Sequence, residues 1–279
     1  MDTTRSNEPS VAFIGAGAMG AAMIGGLAGG DDIDRAHMVA SDRNEDRLAL
    51  VRDQFGVRTT LCNREAAREA DVVVLAVKPQ VLPAVLSELQ SGIRQDALTL
   101  SIVAGASIGT IASLLKHRAI VRTMPNTPAQ VGEGMTVWTA TPEVSPEQRA
   151  QAGTIVGSLG RQLFVDDERF LDIATAISGT GPAYVFLMME ALIDAAVHLG
   201  FSRRDARELV VQTIRGAAIY AEHQPVHPAE LRNRVTSPGG TTAEALYQLE
   251  KGSFRTIMSK AVVAAFRRSV ALGEMSTSS

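Results

Sequence analysis

A chain of 279 residues, with 46 % hydrophobic and 20 % charged side chains, is long and apolar enough to bury one large core or two of ordinary size. Its net charge of −3 and pI near 6.0 give no basic footprint for nucleic acid or an anionic membrane surface, which leaves small molecules as the natural partners. The single cysteine, Cys62, excludes an intramolecular disulfide and suits a reducing compartment; it is assigned no role.

The residues up to Ser10 lack the cationic and apolar regions of a secretory signal, so a cytoplasmic location is expected. From Val11 to about Val165, β-rich runs at 11–14, 37–40, 71–77, 97–103 and 119–122 alternate with helical patterns, which predicts a parallel α/β sheet of Rossmann type. The runs are apolar without a period of two, as expected where helices cover both faces. Segments 134–139 and 161–165 flank a helix predicted over 145–158 from its opening Ser145-Pro146-Glu147-Gln148, and should extend the same sheet.

Beyond Asp166 the pattern is all-α. Tyr184, Met188, Leu192, Ala195 and Leu199 fall at helical spacing, as do Ala206, Leu209, Val210, Thr213 and Ala217. The expected division is a dinucleotide-binding domain over 1–165 and a helical substrate-binding and dimerisation domain over 166–279. The apolar stretch 183–200 contains Glu190, Asp194 and His198, so it reads as a buried helix and not a membrane span. Apolar residues around several faces of the later helices, as at 261–266, predict a second protomer that covers part of them.

Gly15-Ala16-Gly17-Ala18-Met19-Gly20 follows the first strand and opens a helix. Gly15 permits the tight turn, Gly17 lets backbone approach a pyrophosphate, and Gly20 allows close packing of helix on strand. About twenty residues on, where such folds read the ribose, stand Ser41, Asp42, Arg43 and Asn44. Asp42 suits a ribose 2′-hydroxyl and NADH, whereas Arg43, with Ser41 or Asn44, suits a 2′-phosphate and NADPH; NADPH is expected, with NADH as the alternative. Asp42 or Asn44 would equally serve as a helix N-cap.

Ala76-Val77-Lys78-Pro79 and Met124-Pro125-Asn126-Thr127-Pro128 follow strands at the sheet's carboxyl edge, where ligands gather; Asn126 is read either as a contact on the nicotinamide side or as the bracing side chain of a turn. In the helical half, Ser178-Gly179-Thr180-Gly181-Pro182-Ala183 and Ser237-Pro238-Gly239-Gly240-Thr241-Thr242 each place a Gly-rich entry before a helix. Free N–H groups at such starts form a nest for a carboxylate, with capping turns as the plainer reading.

These motifs, in this order and spacing, resemble the pyrroline-5-carboxylate reductases over essentially the whole chain, most specifically at Val235-Thr236-Ser237-Pro238-Gly239-Gly240-Thr241-Thr242. The resemblance implies hydride transfer from NAD(P)H to the imine carbon of L-1-pyrroline-5-carboxylate, giving L-proline as the last step of proline biosynthesis. It implies a homodimer whose active site is shared between protomers, with an assembly of dimers left open. By matched position it implies cofactor contacts at Gly15, Ala16, Gly17, Ala18, Met19, Gly20, Ser41, Asp42, Arg43, Asn63, Ala76, Val77, Lys78, Pro79, Ala104, Gly105 and Asn126. Ser237, Gly239, Gly240, Thr241 and Thr242 would form the substrate site, with no metal. Thr180 stands where the family commonly has Ser, which keeps the hydroxyl.

An iminium accepts hydride without a strong acid, and this substrate can already be protonated near neutral pH. Thr242, the catalytic candidate, therefore positions the ring nitrogen first and relays a proton second. Two rival readings are a β-hydroxyacid dehydrogenase and a non-catalytic dinucleotide-binding protein. The first needs a proton-handling lysine in the first long helix of the C-terminal half, and 183–200 has none.

Overall fold

The computed structural model describes residues 8–277, with side chains to 273. Residues 1–7, on which the signal-region reading mostly rests, lie outside the described residues. Within them, β1 (Val11–Ile14), β2 (Met38–Ser41), β3 (Arg58–Thr60), β4 (Val72–Leu75), β5 (Leu98–Ser101), β6 (Ile120–Met124), β7 (Gly134–Ala140) and β8 (Gly160–Phe164) form one sheet in the order 3-2-1-4-5-6-7-8. All neighbours pair parallel except β6 with β7. The segments after Gly134 and Gly160 thus extend the sheet as their sequence predicts.

The absence of a two-residue period has a direct cause. Val11, Phe13, Val72 and Val74 enter one apolar cluster, while Ala12, Ile14, Val73 and Leu75 enter another on the opposite face. Both faces are covered by helices α1 (Ala18–Ala28), α2 (Glu45–Phe55), α3 (Asn63–Ala67), α4 (Leu82–Leu89), α5 (Ile108–Leu115) and α6 (Pro146–Gly157). Fully burying a side chain such as Ile14 or Met23 contributes about 1.5–3 kcal/mol. The β3 strand was not anticipated, because its Arg-Thr-Thr sequence carries no apolar signal; it forms the polar edge beside β2. At α6, the Ser145 hydroxyl accepts from Gln148 N while the Gln148 side chain accepts from Ser145 N, the reciprocal cap expected there.

Two compact units are present: the described parts of Met1–Thr180 with Ala265–Ser279, and Gly181–Ala264. The sheet ends at Phe164, close to the change of pattern at Asp166, but α7 (Arg169–Ala174) stays with the first unit. Leu171 and Ala174 are buried there against Val137 of β7. A π-helical turn, Thr175–Gly179, follows. The last helix, α12 (Phe254–Thr277), starts in the second unit and ends in the first, where the Ser269 hydroxyl donates to Asp172 Oδ1 at 2.8 Å.

The second unit contains α8 (Gly181–His198), α9 (Arg203–Glu222), α10 (Pro228–Arg234), α11 (Thr241–Lys251) and the start of α12. Within one chain the expectation of a buried helix over 183–200 fails: α8 has no buried residue, and Phe186, Leu187 and Leu192 are exposed. The physical reason is that a few helices cannot cover several broad apolar faces at once. The helical stretch Arg169–His198 is long and apolar enough, by length and composition, to cross a membrane.

Candidate active site

In this sheet the chain runs from β1 outward through β2 to β3, then returns to β4 on the other side of β1. That reversal puts the topological switch point at the carboxyl ends of β1 and β4, the position where open α/β sheets take ligands. Four strand ends are tied together there: Gly15 N donates to Ser41 O, Ala76 N to Ile14 O, and Ile102 N to Leu75 O.

The Gly15 to Gly20 turn has the form of a pyrophosphate cradle. Gly15 has φ +108°, and a Cβ there would stand 2.5 Å from Ala76 O. A Cβ on Gly20 would strike Gly15 O, so these two glycines are required by the protein's own packing. Gly17 differs: a Cβ there would meet nothing within 4 Å among the described residues, so the space beside it is open. Gly17 is also the N-cap of α1 and offers no side-chain cap, which leaves the N–H groups of the first turn, at Ala18 and Met19, for an anion. The donors and the open approach at Gly17 fit a dinucleotide.

At the end of β2 the four polar residues do different things. Asn44 is the N-cap of α2, its side chain accepting from Arg47 N. Asp42 Oδ2 accepts the N–H of Ala16 at 2.9 Å, and its Oδ1 accepts the N–H of Asn44 at 2.9 Å. Ser41 is fully buried and donates to Asn63 Oδ1 at 2.8 Å, and Asn63 Nδ2 in turn donates to Glu88 Oε2 at 3.0 Å. Ser41 and Asn63 therefore satisfy each other beneath the surface, whereas Arg43 is exposed.

Farther along the edge, Lys78 and Pro79 are exposed after the half-buried Ala76 and Val77. Ala104 is exposed, and Gly105 is buried with φ +74° in the turn before α5. Asn126 is half-buried and spans two elements: Met135 N donates to its Oδ1, and its Nδ2 donates to Ser178 O at 3.0 Å. Both bonds run to other segments, and the side chain does not cap the 3-10 turn Thr127–Val131 that follows, so the Asx turn expected as the alternative is not formed. The Gly-rich entry at 178–183 is not an open helix start, since Thr180 N donates to Thr175 O and the π turn runs straight into α8. Sequence reasoning treated its glycines as a break, but the π hydrogen bonds carry the helix through.

In the second unit the residues from Ser237 to Gly240 form the turn that leads into α11 at Thr241. Gly239 has φ +69°, a left-handed conformation suited to glycine. Gly240 is the N-cap of α11 without a side-chain cap, and Gly240 N donates to Ser237 O at 3.0 Å. Ser237 and Thr241 are exposed and Thr242 is half-buried. None of these three hydroxyls has a hydrogen-bond partner among the described residues.

Two open clefts of about 710 and 1040 Å³ lie at the opposite, amino-terminal edge of the sheet, around Asp71 and Arg94. They are remote from these motifs and lined by paired charges. Burial alone would raise the Asp71 carboxyl, but hydrogen bonds from Ser10 and the Arg94 guanidinium hold it below its ordinary value. Two residues escaped sequence reasoning. Arg47 reaches within 3.8 Å of Asp42 from the first turn of α2, and Arg122 is a charged residue inside an apolar strand, a signal of an ionic partner elsewhere.

Comparison with known proteins places these features in one group. A family profile described as pyrroline-5-carboxylate reductase dimerisation matches residues 168–272, and one described as NADP oxidoreductase, coenzyme F420-dependent, matches residues 10–105. A pyrroline-5-carboxylate reductase of Pseudomonas aeruginosa is 42 % identical over 96 % of this chain and 98 % of its own length. The solved pyrroline-5-carboxylate reductase of Coxiella burnetii superposes with a TM-score of 0.88 at 38 % identity, over 95 % of this chain and 99 % of that one. The Plasmodium falciparum pyrroline carboxylate reductase, solved with NADP bound, gives 0.87 at 34 % identity, over 96 % and 100 %.

Proposed function

The chain belongs to the pyrroline-5-carboxylate reductase family, and on that premise we propose that it reduces L-1-pyrroline-5-carboxylate to L-proline with NAD(P)H, the last step of proline biosynthesis. The observation that carries the reading is the turn before α11. It combines a left-handed Gly239, an uncapped helix N-terminus at Gly240 and a Thr242 hydroxyl without a hydrogen-bond partner among the described residues. Backbone N–H groups at such a terminus attract a carboxylate, and a free hydroxyl within the same turn can orient a ring nitrogen.

A reduced dinucleotide, when bound, would supply hydride to the imine carbon. Gly15, Ala16, Gly17, Ala18, Met19 and Gly20 would hold its pyrophosphate, while Asp42 and Arg43 would line the adenosine ribose. Ala76, Val77, Lys78, Pro79, Ala104 and Gly105 would line the nicotinamide half. Ser41, Asn63 and Asn126 act from beneath by fixing the loops that make these contacts. Ser237, Gly239, Gly240, Thr241 and Thr242 hold the imine, and rate enhancement comes mainly from orientation and from fixed donors on the carboxylate.

The functional division at 165/166 follows the end of the sheet. The chain carries a dimerisation domain, and the uncovered apolar faces of α8 and α9 suit a homodimer. Each active site would join the dinucleotide loops of one protomer to the Ser237 to Thr242 turn of its partner, with dimers free to assemble further. Glu190 and Asp194 within the apolar stretch favour protein over lipid as its cover, and a cytoplasmic location accords with the unpaired, exposed Cys62.

The test is oxidation of NADPH or NADH, followed by absorbance, with L-1-pyrroline-5-carboxylate as substrate. A rate no higher than the substrate-free blank overturns the proposal. Thr242→Ala with unchanged kinetics would remove the role of that hydroxyl alone.

A further inference from the structure

Ala104 and Gly105 sit between β5 and α5, outside both, and are held from two sides by residues of the first unit. On one side, Ile108 N at the start of α5 donates to Glu168 Oε1 at 2.8 Å, and the same oxygen accepts from Arg122 at 2.7 Å. On the other, Gly105 lies against the end of α12: a Cβ on Gly105 would stand 3.4 Å from Leu272 Cβ, and one on Gly273 would stand 3.5 Å from Gly105 O. Ser269 lies one turn before Leu272 and Gly273 on the same helix face, and its buried hydroxyl donates to Asp172 Oδ1 at 2.8 Å. Glu168, at the N-cap of α7, and Asp172, one turn on, lie 2.7 and 3.7 Å from the two terminal nitrogens of the buried Arg122 guanidinium. One cation thus anchors both sides of the grip.

We propose that Glu168, Asp172 and Ser269 are positioning residues: they set where the Ala104–Gly105 turn stands, and through it where the nicotinamide half of a bound dinucleotide lies. The inference rests on the reading of that turn as lining the nicotinamide half. A buried ion pair is often no more stabilising than apolar side chains of the same volume. What the cluster adds is direction, because each of its bonds fixes an angle as well as a distance. The turn cannot anchor itself: Gly105, at φ +74°, has no side chain, and Ala104 is exposed. Its place is therefore dictated by Glu168 on the α5 side and by the end of α12 on the other. Loss of either contact lets the turn shift, and a displacement of about 1 Å is enough to misplace a reacting group. The adenosine end, carried by β1 and β2, is left untouched.

The experiment compares a whole dinucleotide with a fragment that lacks the nicotinamide half, in the full-length protein and without any imine substrate. The pair is NADPH and 2′,5′-ADP, or NADH and ADP where NADH binds more tightly, with the dinucleotide read by its fluorescence and the fragment by calorimetry. Ser269→Ala, which removes one hydroxyl, and Glu168→Gln, which removes one charge at constant shape, should each weaken the dinucleotide about fivefold relative to its fragment. A ratio of dissociation constants unchanged in either variant, with both ligands weakened equally or neither weakened, would show a plain brace of the fold and overturn the proposal. Should Glu168→Gln fail to fold, Ser269→Ala decides the matter alone. A protein that shows these shifts but does not turn over pyrroline-5-carboxylate sinks the functional reading and leaves this one standing, whereas turnover without the shifts sinks this one only.

Discussion

Arg122 lies buried in β6, and its guanidinium donates to Glu168 Oε1 at 2.7 Å, while that same oxygen accepts the N–H of Ile108 at the start of α5. Asp172, 3.7 Å from the other guanidinium nitrogen, completes the surroundings. Arg122 is buried, but Glu168 and Asp172 keep 32 % and 22 % of their side chains exposed, so water partly solvates them once the cation is gone and the loss is about 1–3 kcal/mol. Arg122→Met should therefore lower stability by that order in urea unfolding, and Arg122→Lys should recover part of it. A loss near zero would mean that water already solvates the two acids.

Asp71 makes a pH-dependent contribution of known sign. Burial opposes its charge, yet bonds from Ser10 and Arg94 keep its folded-state carboxyl below the ordinary 3.8. Stability from a depressed acid is present above the unfolded value and disappears as pH falls through the folded one. The melting temperature of Asp71→Asn should lie below that of the parent near neutral pH, and the gap should close below about pH 4. A gap that does not narrow at all as the pH falls below the ordinary carboxylate value would assign the loss to shape and not to charge.

The glycine turn offers a paired test. Gly15→Ala meets both a positive φ and the Ala76 carbonyl, so it should damage folding itself. Gly17→Ala meets nothing within 4 Å among the described residues, so its thermal unfolding should match the parent while dinucleotide affinity falls at least tenfold, by about 1.4 kcal/mol. Unchanged affinity in Gly17→Ala would place the pyrophosphate elsewhere.

Phe186 and Leu187 are among the most exposed apolar side chains of α8. Paired replacement by Glu should convert the dimer to monomer in sedimentation velocity and remove any dependence of the melting temperature on protein concentration. A dimer that survives the change would put the interface on other faces.

Most of the sheet was legible because its strands are buried on both sides, so composition alone marks them. The polar β3 carried no such mark, and it acquires its strand from its neighbour β2. The glycine turn and the turn before α11 were legible because φ above zero and uncapped termini require specific residues. Asn126 and the pair Ser41 and Asn63 were harder: the sequence identifies them as polar residues at the proper edge, but only coordinates reveal that their hydrogen bonds point into the protein. The helix through Thr175–Gly179 escaped notice because a π turn tolerates glycines that would end an α-helix.

Since α12 leaves one unit and finishes in the other, the sheet unit is not a contiguous stretch of chain. During synthesis the Asp172 carboxylate waits nearly a hundred residues for its Ser269 donor, so residues 8–180 emerge from the ribosome with a docking place still empty. Expressing that stretch alone would yield a protein missing a wall; joining 265–277 to it through a short linker is the excision that respects how the polypeptide is woven.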